Sequence, residues 1–191
     1  MMTVEELKEA LSGEWVSIAS ELRPSAAKNA DGSPKALYLN RHFVYFAGDR
    51  FELTIVTSAD PYGVVPLARI RLRGRMDWRG PHPIAPGAQK VDFTADEAYE
   101  VTSLHAGFAD LLNKVAAQGY ARWDVGGTQS VLGKSFVPFG LVAGKNFTEL
   151  DLVYLAHDML FWGARNVDGR GFDEEANRPT NLQIPLVRRS L

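Results

Sequence analysis

At 191 residues, with 46% hydrophobic and 23% charged residues, the chain has the composition of a folded protein with one substantial core, which excludes disorder for its bulk. Twenty-one basic against 23 acidic residues leave a formal charge of -2, too weak a field to draw the chain to nucleic acid or an anionic membrane. The absence of cysteine removes disulfides, thiolate zinc sites, iron–sulfur clusters and cysteine nucleophiles together.

The acidic start has no apolar leader, and no apolar run reaches the ~20 residues that span a bilayer. A cytoplasmic chain without a membrane span is expected. Thr3-Val4-Glu5-Glu6 is a capping-box sequence, and Val4, Leu7 and Leu11 follow at helical spacing before Gly13, which predicts a helix over about 3–12. "EWVSIASEL" then reads as extended, and "SAAKNADGSPK" as a long polar loop with the composition of a lid or of slack chain.

Three runs rich in aromatic and β-branched residues, 36–47, 50–59 and 66–76, predict an antiparallel meander. In the third, Ala68, Ile70, Leu72, Gly74 and Met76 alternate with Arg69, Arg71, Arg73 and Arg75, the period of a strand with one face in water. Strands are predicted again in "QKVDFTA" and "AYEVTS". Leu104, Phe108, Leu111, Leu112 and Val115 then mark a second helix over about 104–118, starting from a serine cap. The remainder returns to strands, including the run 159–169, and in "TELDLVYLAHD" Glu149, Asp151 and Val153 fall on one face and Leu150, Leu152 and Tyr154 on the other. Eight to ten strands with two helices predict one domain over 1–191, mainly β, an antiparallel barrel or half-barrel of lipocalin or calycin type with two capping helices. A barrel of about eight strands has room for one small ligand.

"GEWVS" with Glu21, Arg23 and Pro24, "LNRHFVYF", Asp60-Pro61 with Pro66, "RGR" at 73–75, Trp123-Asp124-Val125-Gly126, "TELDLVYLAHDMLFWGARNVDG" and "RPTNLQIPLV" run in order over nearly the whole chain. Together they resemble the repeated ectodomain of the adenomatosis polyposis coli down-regulated protein family, membrane-anchored Wnt antagonists, and its bacterial single-domain members. The resemblance implies a barrel-like β domain with an apolar pocket able to accept a lipid chain. Where the secreted branch carries cysteines this chain has Ser20, Gly63 and Phe136, and the resemblance implies that Ser20 and Gly63 lie near each other. No second copy, signal peptide or anchor is expected, so Wnt antagonism does not carry over.

Gly13-Glu14-Trp15 also resembles the Gly-x-Trp of lipocalin-like barrels, in which the indole plugs the floor and packs on an arginine. The candidates for that arginine are Arg178, Arg165 and Arg41. Glu21, Arg23 and Arg41 are read as fold-locking cross-strand ion pairs, a reading favoured over headgroup binding. The arginine ladder of residues 69–75 is read as a solvent face opposite acidic strands. The four histidines lack metal spacing, and no nucleophile elbow is present, so neither a metal site nor a catalytic residue is assigned. Asp168, Asp173, Glu174 and Glu175 have the composition of a calcium loop but not the EF-hand spacing.

Phe43, Tyr45, Phe51, Leu53, Ile55, Ile70, Leu72, Phe93, Leu150, Leu152, Tyr154 and Phe161 form the candidate pocket lining. The expected activity is non-catalytic binding of a hydrophobic small molecule or lipid, fatty-acyl-like, without a cofactor. The alternatives are an isomerase- or cyclase-type enzyme using Tyr45, His42 or Glu52 in the same pocket, and an interaction module that works through its surface.

Overall fold

The computed structural model describes residues 2–189 apart from Val167, and the backbone alone of Ala26. Val167, inside the predicted strand run 159–169, therefore lies outside the described residues.

Thr3 caps helix α1 (Val4–Leu11) as its sequence predicts: its hydroxyl accepts from Glu6 N, and the Glu6 carboxylate accepts from Thr3 N. That satisfies two of the backbone donors a helix start leaves free. Leu7 and Leu11 are the buried face. After α1 the chain enters β1 (Gly13–Ser17) and β2 (Glu21–Lys28). The expected long loop is instead a hairpin. β2 pairs with β3 (Pro34–Phe46) from Glu21 opposite Leu39 to Lys28 opposite Pro34, and only five residues turn the corner, where Asp31 accepts from Ser33 and Asn29 donates to it. A polar composition was therefore compatible with an exposed edge strand, which polarity alone does not separate from coil.

β4 (Arg50–Ser58), β5 (Pro66–Pro81) and β6 (Gln89–Ser103) complete a long antiparallel meander. Along β5 Ala68, Leu72, Gly74 and Met76 are buried and Arg69, Arg71, Arg73 and Arg75 exposed, as predicted. The exposed guanidiniums face acidic neighbours: Arg71 pairs with Glu52 at 2.9 Å, and Arg75 with Asp96. The two predicted strands "QKVDFTA" and "AYEVTS" are one, β6.

Helix α2 (Ala106–Val115) starts at His105, whose ring accepts from Gly107 N at 3.1 Å, rather than at the predicted serine. β7 (Thr128–Ser130) adds to β6, and β8 (Phe147–Ala156), β9 (Met159–Trp162) and β10 (Leu186–Arg188) follow, with 3-10 turns at Val137–Phe139 and Glu175–Asn177. β8 turns into β9 through His157 and Asp158, both at positive φ, as a two-residue hairpin requires.

The ten strands form one antiparallel sheet in the order β1-β10-β9-β8-β6-β5-β4-β3-β2, with β7 on β6. Because β1 pairs with β3 as well as with β10, the order returns on itself. The return is incomplete along its length. β3 uses residues 42–45 for β1 and 34–39 for β2, while β9 reaches β8 only from Val153 onward. Beyond the short strands β1, β10 and β9, the outer edges of β2 and β8 have no strand between them. The described residues of the segment 163–178 flank β8 here, Phe172 O accepting from Leu150 N at 2.7 Å. Arg178 fixes that segment, donating to the carbonyls of Val91 and Asp151 and pairing with Asp92 at 2.7 Å while buried.

Candidate functional site

Trp15 is fully buried and its indole N–H donates to Leu11 O, the last residue of α1, at 2.8 Å. Its arginine is Arg188, not Arg178, Arg165 or Arg41: the Arg188 guanidinium lies 4.5 Å from the indole centre and donates to the carbonyls of Ser12, at 3.0 Å, and Ala10. Arg178 is instead committed to the 163–178 segment, and Arg41 and Arg165 lie elsewhere. One cation thus stacks on the indole and satisfies the free carbonyls at the helix end.

Phe43, the β3 partner of Trp15, lines a cavity of about 580 Å³. Its deep wall is apolar and aromatic. Phe43 and Phe93 stack against Trp162 at 4.2 and 4.0 Å between ring centres, and Phe51 meets Phe93 edge-on at 5.4 Å. Of the predicted lining, Phe43, Phe51, Leu53, Ile55, Ile70, Leu72 and Phe93 do line it. Tyr45 does not: it is buried beneath the cavity, its hydroxyl accepting from Trp162 Nε1 at 3.0 Å. That burial pushes its phenol pKa well up. It faces a second, more open groove of about 460 Å³ beside α1.

Leu150, Leu152, Tyr154 and Phe161 also fall outside the cavity, because β8 has the opposite phase. Phe147, Glu149 and Asp151 point in, Tyr154 pairs with Phe161 on the outer side at 6.0 Å between ring centres, and Leu152 is buried there. The polarity rule fails at β8 because its outward side is covered too, Leu152 being fully buried, while the carboxylates of Glu149 and Asp151 line the cavity.

Arg23 and Arg41, read from sequence as fold-locking ion pairs in preference to headgroup binding, line this same cavity, joined by Arg165. Buried Glu21 pairs with both Arg23 and Arg41, the latter at 3.2 Å, so the predicted ion-pair cluster is present. Arg165 stands 3.8 Å from Glu149 and over the Phe172 ring. Asp151 Oδ1 accepts from Leu152 N at 2.7 Å and Gly163 N at 2.9 Å. Residue 163 must be glycine for this approach, since a Cβ there would run into Pro179 and the Asp151 carboxylate. Burial, then the charge of Glu149, pushes the Asp151 pKa up to about 7, against the pull of the two backbone donors. No sequence signal beyond the Glu-x-Asp alternation pointed to these carboxylates.

The predicted enzymatic groups His42 and Glu52 lie outside the cavity, bonded to Glu14 at 2.9 Å and to Arg71. The carboxylates of "NVDGRGFDEE" are committed to side-chain partners: Asp168 to Arg170, Asp173 to Asn177, Glu175 to Arg178 and Lys90. Among the described residues no group of three potential ligands is placed to hold a metal ion. Ser20 Oγ donates to Pro61 O at 2.9 Å, which seats residue 20 on the turn that carries Gly63. No helix among the described residues is long and apolar enough to cross a membrane. No model of a known protein family matches the chain.

Proposed function

We propose that the sheet is a lipocalin-like barrel, of the kind the resemblance to the adenomatosis polyposis coli down-regulated ectodomain implies, and that it binds a hydrophobic small molecule or lipid without covalent chemistry. The observation that carries this reading is the cavity of about 580 Å³ walled by Phe43, Phe51, Leu53, Leu72, Phe93 and Trp162. Its volume falls within the range of ligand pockets, and its predominantly apolar wall with a few polar groups is the usual design of one. An acyl chain burying on the order of 400 Å² there gains roughly 10 kcal/mol gross at ~25 cal/mol per Å², enough to outweigh the cost of association.

The test is extraction of the purified protein with organic solvent, mass spectrometry of the extract, and titration of the stripped protein with a fluorescent acyl probe. A co-purifying hydrophobic compound and saturable probe binding are expected. Absence of both refutes the reading.

One observation favours a second reading, proton transfer on a bound hydrophobic substrate, as in an isomerase or cyclase: Asp151 faces the cavity with a pKa near neutrality, where a carboxylate serves as a general base. Such an enzyme would incorporate deuterium from heavy water into the bound compound, and Asp151→Asn would abolish the incorporation while retaining the compound.

A further inference from the structure

Resting on the cavity reading above, we propose that the ligand carries an anionic oxyacid head, a carboxylate or a phosphate, held by Arg41 and Arg23 where the sheet is open between β2 and β8, with its tail against the aromatic floor.

The cavity wall combines aromatic and charged groups: Phe43, Phe51, Phe93 and Trp162 line it together with Arg23, Arg41, Arg165, Glu149 and Asp151, and Glu149 stands directly opposite Phe93 and Arg41 opposite Ile55. Clustering charges beside an apolar cavity is costly unless they are matched, and the matching is incomplete. Each guanidinium presents five N–H donors, and a single carboxylate, Glu21, serves both Arg23 and Arg41. Arg41 Nε is buried and has no acceptor among the described residues. A ligand oxygen can supply that acceptor, and a forked guanidinium pair is suited to a planar carboxylate or to phosphate.

The acidic side chains of the gap do not cancel this preference. Glu149 is turned to Arg165, and Asp151 Oδ1 is occupied by two backbone N–H groups. Glu21 is engaged by the arginines themselves. Three guanidiniums are thus matched by three carboxylates in number, and what is left over is a hydrogen-bond donor, the buried Arg41 Nε.

The experiment titrates the stripped full chain with palmitate, methyl palmitate, hexadecanol, hexadecylamine and hexadecyl phosphate by displacement of a fluorescent acyl probe. A charge-assisted contact at a desolvated site corresponds to roughly tenfold or more in affinity. Palmitate, hexadecyl phosphate or both should bind at least that much tighter than the ester, alcohol and amine. Whichever of the two binds tighter identifies the head as a carboxylate or a phosphate. Arg41→Lys, which keeps the charge and loses the fork, should narrow the gap between acid and ester by weakening the acid more than the ester. The wild-type series stands alone if that variant does not fold. Equal affinity of acid, ester and alcohol, or tightest binding of the amine, overturns the headgroup assignment and leaves the cavity reading intact. Binding of none of the five overturns the cavity reading, and this proposal with it.

Discussion

Asp151 is a carboxyl group that folding places where its charge is unwelcome. Its pKa rises from an ordinary value near 3.8 to about 7, first through burial and then through Glu149. The folded protein therefore binds a proton that the unfolded chain has already released between those two values. Stability from this group is greatest below about pH 4, falls as the pH climbs toward 7, and is level above it. Asn at this position keeps an oxygen for the Leu152 and Gly163 N–H groups and has no charge to bury. Asp151→Asn should consequently melt higher than the wild type at pH 8, with a flatter midpoint curve between pH 4 and 7, measured by circular dichroism. A lower melting point at pH 8 would mean that the carboxylate is stabilising, contrary to the burial argument.

At the scale of elements, both helices are anchored by the same device. Trp15 donates to the Leu11 carbonyl at the end of α1, and Trp123 donates to Ala116 O at the end of α2, with Asn113 bonded to the Trp123 backbone in both directions. A buried indole needs one acceptor, and a helix C-terminus has free ones. Arg188 completes the first anchor, so Arg188→Ala should cost about 1–2 kcal/mol, the solvent-exposed contribution of its carbonyl bonds and its stacking on Trp15. Urea unfolding measures the loss, and hydrogen exchange should quicken first in α1. Arg188→Lys should recover only part of it, lacking the fork that spans two carbonyls.

The same elements show where the sequence was legible. The register of β5 could be read because one face meets water and the other the core, so polarity and direction agree. The capping box of α1 is local and was equally plain. β8 was misread because its two sides are both enclosed, so charge no longer marks the outside. Its alternation was correctly resolved but assigned to the wrong faces. Arg188 was missed because the contact joins residues 15 and 188, a separation that no local pattern encodes. Arg23 and Arg41 were legible as an ion-pair cluster with Glu21, but their place on the cavity depends on where β2 takes over from β1 along β3, which is a property of tertiary pairing.

For the whole molecule, the consequential question is whether the enclosed volume is working space or a packing defect, and the two answer differently to being filled. In a solid core, adding bulk forces strain of typically 1–3 kcal/mol. In an open cavity the added ring gains contacts and buries its own surface, so the fold is unharmed or gains on the order of 1 kcal/mol. Ile70 is only partly buried, lines the cavity, and lies one strand beyond Ile55, which is itself the direct partner of Arg41 on β3. A tryptophan at 70 reaches into the volume a tail would occupy with β4 between it and Arg41. Ile70→Trp should therefore unfold at or above the wild-type midpoint in urea, and bind the fluorescent acyl probe at least tenfold more weakly. Stability and binding would then move in opposite directions, as they do when a site is kept open against the interest of packing. A variant that is destabilised by several kcal/mol would show that the walls already close on themselves, and one that binds the probe unchanged would place the tail elsewhere.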